Sequence, residues 1–177
     1  MSAERALVAE RALVRPATAA DAEAIAAIFA QYVTGSVVTF EETPPTAGQW
    51  RDRLAGLAGS GLPVLVAELD HAVAGYAYAS PWRPKPAYRH TVEDTVYLAP
   101  ESRGHGLGRL LLDTLLEACA AAGVHQVIAV IADTGDPASV ALHRRCGFTD
   151  AGRLSEVGRK HGRWVDTLLL QRTLNPA

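Results

Sequence analysis

A strand-like run, TVEDTVYLA at 91–99, ends in a proline and leads through RGHGLG at 103–108 into a leucine-rich helix. Glycines let a backbone approach a ligand with no Cβ in the way, and the first N–H groups of a helix point at an anion. The layout suits a phosphate group, and Arg103 and Arg109 add positive charge. A Walker loop is excluded because no lysine follows the last glycine. A dinucleotide fingerprint is excluded because Gly108 comes one residue too soon after Gly104 and Gly106, and because the loop follows a β-meander rather than opening a βαβ unit. R-x-x-G-x-G remains, and spacing alone leaves both a phosphate-binding turn and an ordinary glycine-rich turn open.

Proton chemistry has its own candidates. On a strand, Thr91, Glu93, Thr95 and Tyr97 share one face, and Val92, Asp94, Val96 and Leu98 share the other. A carboxylate in a half-buried strand is costly unless partnered, so Glu93 reads as a proton acceptor or as one end of a salt bridge to an arginine. His143, before Gly147-Phe148, can donate or accept a proton near neutral pH; the plainer reading is a histidine packed against strands. Arg83, in the proline-braced loop SPWRPKPAY, suits a carboxylate or phosphinate, with Trp82 and Phe40 as pocket walls; a surface arginine and ordinary core aromatics are the alternatives. His71, His90, His105, His125 and His161 form no i,i+4 pair and no HExxH, so no metal site is expected.

These residues need elements to position them. A first strand falls at about 12–16, and Thr18 with Asp21 opens a helix whose apolar stripe is Ile25, Ile28, Phe29, Tyr32 and Val33, ending at Gly35. Thr46 opens a second helix, through Trp50, Leu54 and Leu57 to about Gly59. Strands follow at 63–69, 72–79 and 91–99, the first two joined by a turn at Asp70-His71. A helix from Leu107 ends at Gly123; QVIAVIA at 126–132 is continuously apolar, as for a strand buried on both faces. Asp136-Pro137 starts a last helix that stops at Gly147, and two strands joined near His161-Gly162 complete the order β-α-α-β-β-β-α-β-α-β-β. This is a mixed α/β (α+β) fold with a central sheet of about seven strands.

The 177 residues make one domain at 12–177, preceded by an extension at 1–11 that carries most of the tandem AERALV repeat at 3–14. The net charge of -2 excludes a strongly basic nucleic-acid binder, and no apolar run is long enough to span a bilayer. Charged residues Glu4, Arg5, Glu10 and Arg11 interrupt any signal-peptide core, so a cytoplasmic protein is expected. Cys119 and Cys146 lack CxxC spacing and read as free thiols.

With R-x-x-G-x-G carried by Arg103, Gly106 and Gly108, between a β-meander and a strand–helix–GF segment, the chain resembles the GNAT superfamily of N-acetyltransferases over about residues 12–174. More narrowly it is similar to the phosphinothricin and methionine sulfone/sulfoximine acetyltransferases, through TFEETPPT, AYASPWRPKPAY, TVEDTVY, SVALHRRCGF and GRKHGRWVD. The resemblance implies the GNAT fold and acetyl-CoA as co-substrate without a metal. It assigns the coenzyme to Arg103, Gly104, His105, Gly106, Leu107, Gly108 and Arg109 for the diphosphate, and to Thr95, Val96 and Tyr97 for the pantetheine arm and thioester. Asp136 stands where the family often has an asparagine touching the coenzyme, and it is also a good helix cap.

Glu93 is the implied base, two residues from the thioester-holding segment, acting directly or through water. His143 occupies the place of the thiolate's acid in many superfamily members, and histidine is usual there in the phosphinothricin group. Its implied role is to orient the substrate or move its proton. The amine site is expected from Phe40, Trp82, Arg83, Val92, Glu93 and Asp94. Arg144 departs from a common glutamate, and Lys160 and Trp164 match a Lys-x-Gly-x-Trp turn tied to pocket closure or dimer packing. Direct transfer to the α-amine of a small amino-acid analogue, in a homodimer, is the implied function. An acetyltransferase for another amine (amino acid, polyamine or protein N-terminus) and a non-catalytic acyl-CoA sensor are the rivals.

Overall fold

The computed structural model describes residues 12–174; the extension at 1–11 and the first copy of the repeat lie outside them. Seven strands form one sheet in the order β1-β2-β3-β4-β5-β7-β6. They are β1 (Ala12–Pro16), β2 (Val64–Leu69), β3 (Ala72–Pro81), β4 (Thr91–Leu98), β5 (Gln126–Ala132), β6 (Thr149–Lys160) and β7 (Arg163–Thr173). Four helices accompany them: α1 (Ala22–Gly35), α2 (Ala47–Gly59), α3 (Leu107–Ala121) and α4 (Ala138–Arg145). All neighbouring strands are antiparallel except β4 and β5, which run parallel. The element order is the one read from the sequence.

Local chemistry sets most boundaries. Thr18 and Asp21 form a reciprocal capping box ahead of α1, and Thr46 and Gln49 form another at α2. Asp70 and His71 both lie at positive φ, as do His161 and Gly162, which gives two-residue hairpin turns twisted to match their strands. Asp136 Oδ1 accepts from the Ala138 N–H at 2.9 Å, so the aspartate caps α4 with Pro137 between.

Two cores flank the sheet. On one face, α3 packs Leu111, Leu112, Leu115 and Cys119 against Ala77, Val92, Val127 and Ala129. On the other, α1 and α2 pack Phe29, Tyr32 and Trp50 against Tyr76 and Tyr97, with edge-to-face and stacked rings 4.9–5.7 Å apart. Gly75 is required where β3 meets β4: a Cβ there would lie 2.9 Å from the Tyr97 carbonyl and closer still to Leu98. The expectation of a two-sided burial for β5 is corrected. Val127, Ala129 and Ile131 are buried, but Ile128, Val130 and Ala132 on the other face are only half-buried, because α1 and α2 cover the β2–β4 side of the sheet and not β5.

The first strand is tied to the body by ions. Arg15 bridges Asp21 at 2.8 Å and Glu68 at 2.5 Å, while Asp21 also accepts from the Thr18 N–H. The Arg15 hydrogen bond is the main cause that lowers the Asp21 carboxyl from 3.8 to about 2, against the cost of burial. A depressed folded-state value means stability that is full above pH ~4 and lost as pH falls toward 2, here on the order of 2 kcal/mol. Asp21→Asn should therefore lower urea stability by roughly that amount at pH 7 and make no difference near pH 2. Equal losses at both pH values would contradict the ion-pair account.

Candidate active site

β4 and β5 pair only over Thr91–Glu93 and Gln126–Ile128, although β4 runs on to Leu98 and β5 to Ala132. Past Glu93 they part. The Trp82 N–H bonds the Thr91 carbonyl and the Ala99 N–H bonds Ala74, which turns the odd residues of β4 toward β3. Asp133 with Asp166, and His125 with Leu174, turn the odd residues of β5 toward β7. By alternation the peptide groups of Val96 and Ala132 face the gap. A cleft of about 830 Å³ opens there, lined by Glu93 through Leu98 of β4 and Ala129 through Ala132 of β5. The Val38–Glu41 loop, Tyr32, Arg103, Gly104, Asp136 and His143 complete its walls.

Glu93 sits at the apex, on the last paired residue. Among the described residues no cation lies within ion-pair distance of it, so the salt-bridge alternative does not hold. Burial, then the neighbouring Asp94 charge, raises its pKa, while the Arg83 charge pulls it down. This is a carboxyl made more basic than usual and facing a cleft.

Asp94 leaves the opposite face and is buried at 7% exposure. Its Oδ2 lies 2.9 Å from His143 Nε2, and His143 Nδ1 lies 2.7 Å from the Ser139 carbonyl. Burial pushes the imidazole down, but the Asp94 hydrogen bond and charge, with the Ser139 contact, leave its pKa above the ordinary value. The Phe148 ring meets the imidazole edge-on at 5.0 Å. Asp94 Oδ1 and Thr167 Oγ1, both on cleft-lining residues, are buried without a hydrogen-bond partner.

In the glycine loop, Gly104 and Gly106 lie at φ +81° and +90°, a region that disfavours any side chain. Gly108 lies where α3 nears α4 and β4: a Cβ there would touch Leu142 and Leu98 at ordinary contact distances of 3.4 and 3.5 Å. Arg103 donates from Nε to the Tyr32 hydroxyl at 3.1 Å and lies over that ring, while Tyr32 bonds the Leu98 carbonyl. Leu107 is buried in the core and Arg109 pairs with Asp113 on the surface; neither lines the cleft, nor do His105 and Gly106.

The expected amine-site residues divide. Phe40, Glu93 and Asp94 line the cleft. Val92 is 1% exposed and belongs to the core, because it shares its strand face with the α3 contacts. Trp82 and Arg83 stack on each other at 5.1 Å outside the cleft lining. Lys160 is buried, donates to the Thr39 carbonyl at 2.9 Å and so braces the loop that carries Phe40; burial lowers its pKa. The Phe40 ring occupies the space a Cβ on residue 158 would need, so Gly158 makes room for it. Thr167 and Ser139 carried no signal in the sequence; no spacing rule links β7 or a helix carbonyl to the cleft.

The sequence profile of the acetyltransferase (GNAT) family matches residues 25–148. The chain belongs to the GNAT acetyltransferase family. It is 50% identical over 155 residues to a phosphinothricin N-acetyltransferase of Alcaligenes faecalis, covering 88% of this chain and 79% of that protein. It is 39% identical to an L-methionine sulfoximine/L-methionine sulfone acetyltransferase of Pseudomonas paraeruginosa, covering 93% and 96%. Its fold matches a GNAT phosphinothricin acetyltransferase of Sinorhizobium meliloti, solved in complex with AcCoA, at a TM-score of 0.88 and 46% identity, covering 92% and 88%. Among the described residues of this GNAT chain no His, Cys, Asp and Glu side chains cluster as a metal site, and no helix is long and apolar enough to cross a membrane.

Neither thiol of this GNAT domain is placed as a nucleophile. Burial, then nearby carboxylates, pushes Cys119 and Cys146 up to about 12, and both pack in the α3 core. At pH 8 the native protein should react with a disulfide reagent at least roughly a hundredfold more slowly than a free thiol, and both groups should react at once on unfolding in guanidinium. A fast native reaction at Cys146 would reopen a covalent route.

Proposed function

We propose that this chain is an acetyl-CoA-dependent N-acetyltransferase that acetylates the α-amine of a small amino-acid analogue such as phosphinothricin or methionine sulfone/sulfoximine by direct transfer. The observation that carries this reading is an unpaired carboxyl, Glu93, of raised basicity at the point where two strands part and turn peptide groups into a cleft. The names of the relatives support the substrate class.

In this reading the thioester supplies the acetyl group, and the chain's own groups do the rest. Arg103, the loop around Gly104 to Gly108, and the first N–H groups of α3 meet the diphosphate. Val96 and its neighbours on β4 offer peptide groups to the pantetheine arm. Glu93 takes the proton of the attacking amine, directly or through water, and the peptide dipoles of the gap favour the oxyanion that forms. Arg83, outside the cleft lining but close enough for its charge to act on Glu93, is the cation assigned to the anionic group of the substrate, and Phe40 walls the cleft. Asp136 remains at the coenzyme end as the cap of α4. The enzyme works as a cytoplasmic homodimer of one domain, 12–177; Leu154, Val157 and Trp164, exposed on the β6–β7 edge hairpin, form the contact.

Release of coenzyme thiol should be seen with phosphinothricin, methionine sulfone or methionine sulfoximine and be weak with polyamines and peptide amines. Coenzyme binding with no release on any amine would favour the sensor instead. Glu93→Gln should cut kcat by about 10²–10⁴-fold while acetyl-CoA binding, followed by calorimetry, is retained. Full turnover in that variant would remove Glu93 as the base. Light scattering should give twice the monomer mass, falling toward one in Leu154→Asp/Val157→Asp.

A further inference from the structure

We infer that Asp94 and His143 act as one unit of this site: His143 is held as a doubly protonated imidazolium that keeps Asp94 ionised, and it is the Asp94 charge, not a ring nitrogen, that acts on the base Glu93. The inference rests on the reading above in taking Glu93 as the base. Hydrogen-bond chemistry fixes the ring. The Ser139 carbonyl can only accept, so Nδ1 carries a proton toward it at 2.7 Å. Nε2 lies 2.9 Å from Asp94 Oδ2, so one proton lies between them, and on the imidazole it makes the pair ionic. With both nitrogens donating, the histidine has no lone pair left for an amine in the cleft.

The surroundings agree. The Phe148 ring beside the imidazole carries no charge, and on α3 the Asp94 charge helps to keep the buried Cys119 thiol protonated. Among the described residues His143 is the one basic side chain bonded to Asp94, a carboxyl only 7% exposed. Glu93 and Asp94 are adjacent on β4 but leave opposite faces, so they share no proton and interact through space. Around Glu93, Asp94 favours its protonated form, and Arg83 from the 82–90 loop opposes this. Asp94 is thus a positioning residue: it orients His143 and tunes Glu93 without touching the amine.

Loss of the acidic limb, rather than its shift, separates this from a histidine base. Removing the Asp94 charge lowers the Glu93 pKa. Asp94→Asn should therefore move the acidic limb of the kcat/KM profile with an amine substrate to lower pH, by about half a unit or more, and His143→Gln should keep an acidic limb because Glu93 remains. A histidine base would instead lose that limb in His143→Gln; Asp94→Asn moves it under either base, because Asp94 raises the imidazole as well. Ring ¹⁵N spectra of the wild-type chain at pH 7.5 provide a readout independent of turnover. The resonance lost in His143→Gln should report two protonated nitrogens, and Asp94→Asn should lower its pKa, because burial then acts with no carboxylate to oppose it. A neutral His143 ring at pH 7.5 in the wild type, which needs no variant to fold, or an unmoved acidic limb in Asp94→Asn, overturns the inference. Absence of turnover on every amine would fail the proposed function while the ring spectra still decide the pair.

Discussion

Two parallel strands that stop pairing half-way leave peptide groups that must find partners elsewhere. That is the constraint on which this structure turns. β4 and β5 are bonded only through Glu93 and Ile128, and beyond them the sheet divides into an antiparallel half of β1 to β4 and another of β5, β7 and β6. Each half is held by its own partners, so the gap lies between two paired strands and is not a frayed edge. A gap of this kind offers a ligand a strand to bond to, which suits an extended molecule bearing amides.

Both sides of the gap are fixed by contacts distant in sequence. Tyr32 ties α1 to the end of β4 through the Leu98 carbonyl, and Arg103 ties the glycine loop to Tyr32. His143 ties α4 to the middle of β4 through Asp94. The α1–α2 loop is held from the far hairpin, where Lys160 bonds Thr39 and Gly158 yields space to Phe40. The cleft is therefore walled by pieces of both halves of the sheet, and displacing either half would change it.

What the sequence made legible follows from local rules. The capping box of Thr18, the helix start at Thr46, the turn at Asp70-His71 and the phase of β4 each depend on a few neighbouring residues, and each stands as read. What it hid depends on packing. QVIAVIA gives no sign of which face lacks a helix, because coverage of β5 is decided by where α1 and α2 dock. Val92 stood beside Glu93 in the same motif, yet pleating sends it into the core. The pairing of Asp94 with His143 spans 49 residues, and Thr167 reaches the cleft only because β7 inserts between β5 and β6.

The adjacency of Glu93 and Asp94 carries the last step. Two carboxylates adjacent in sequence need not share surroundings. On a strand they are sent to opposite sides of the sheet, and their environments can differ completely. One finds a buried imidazole and the other finds none. Groups driven apart in this way can hold different protonation tasks at one pH, as paired acids and bases in enzymes do. The pleat separates the two side chains at the residue where β4 and β5 stop pairing, so strand β4 supplies both the opening of the cleft and two different surroundings for its adjacent carboxyls.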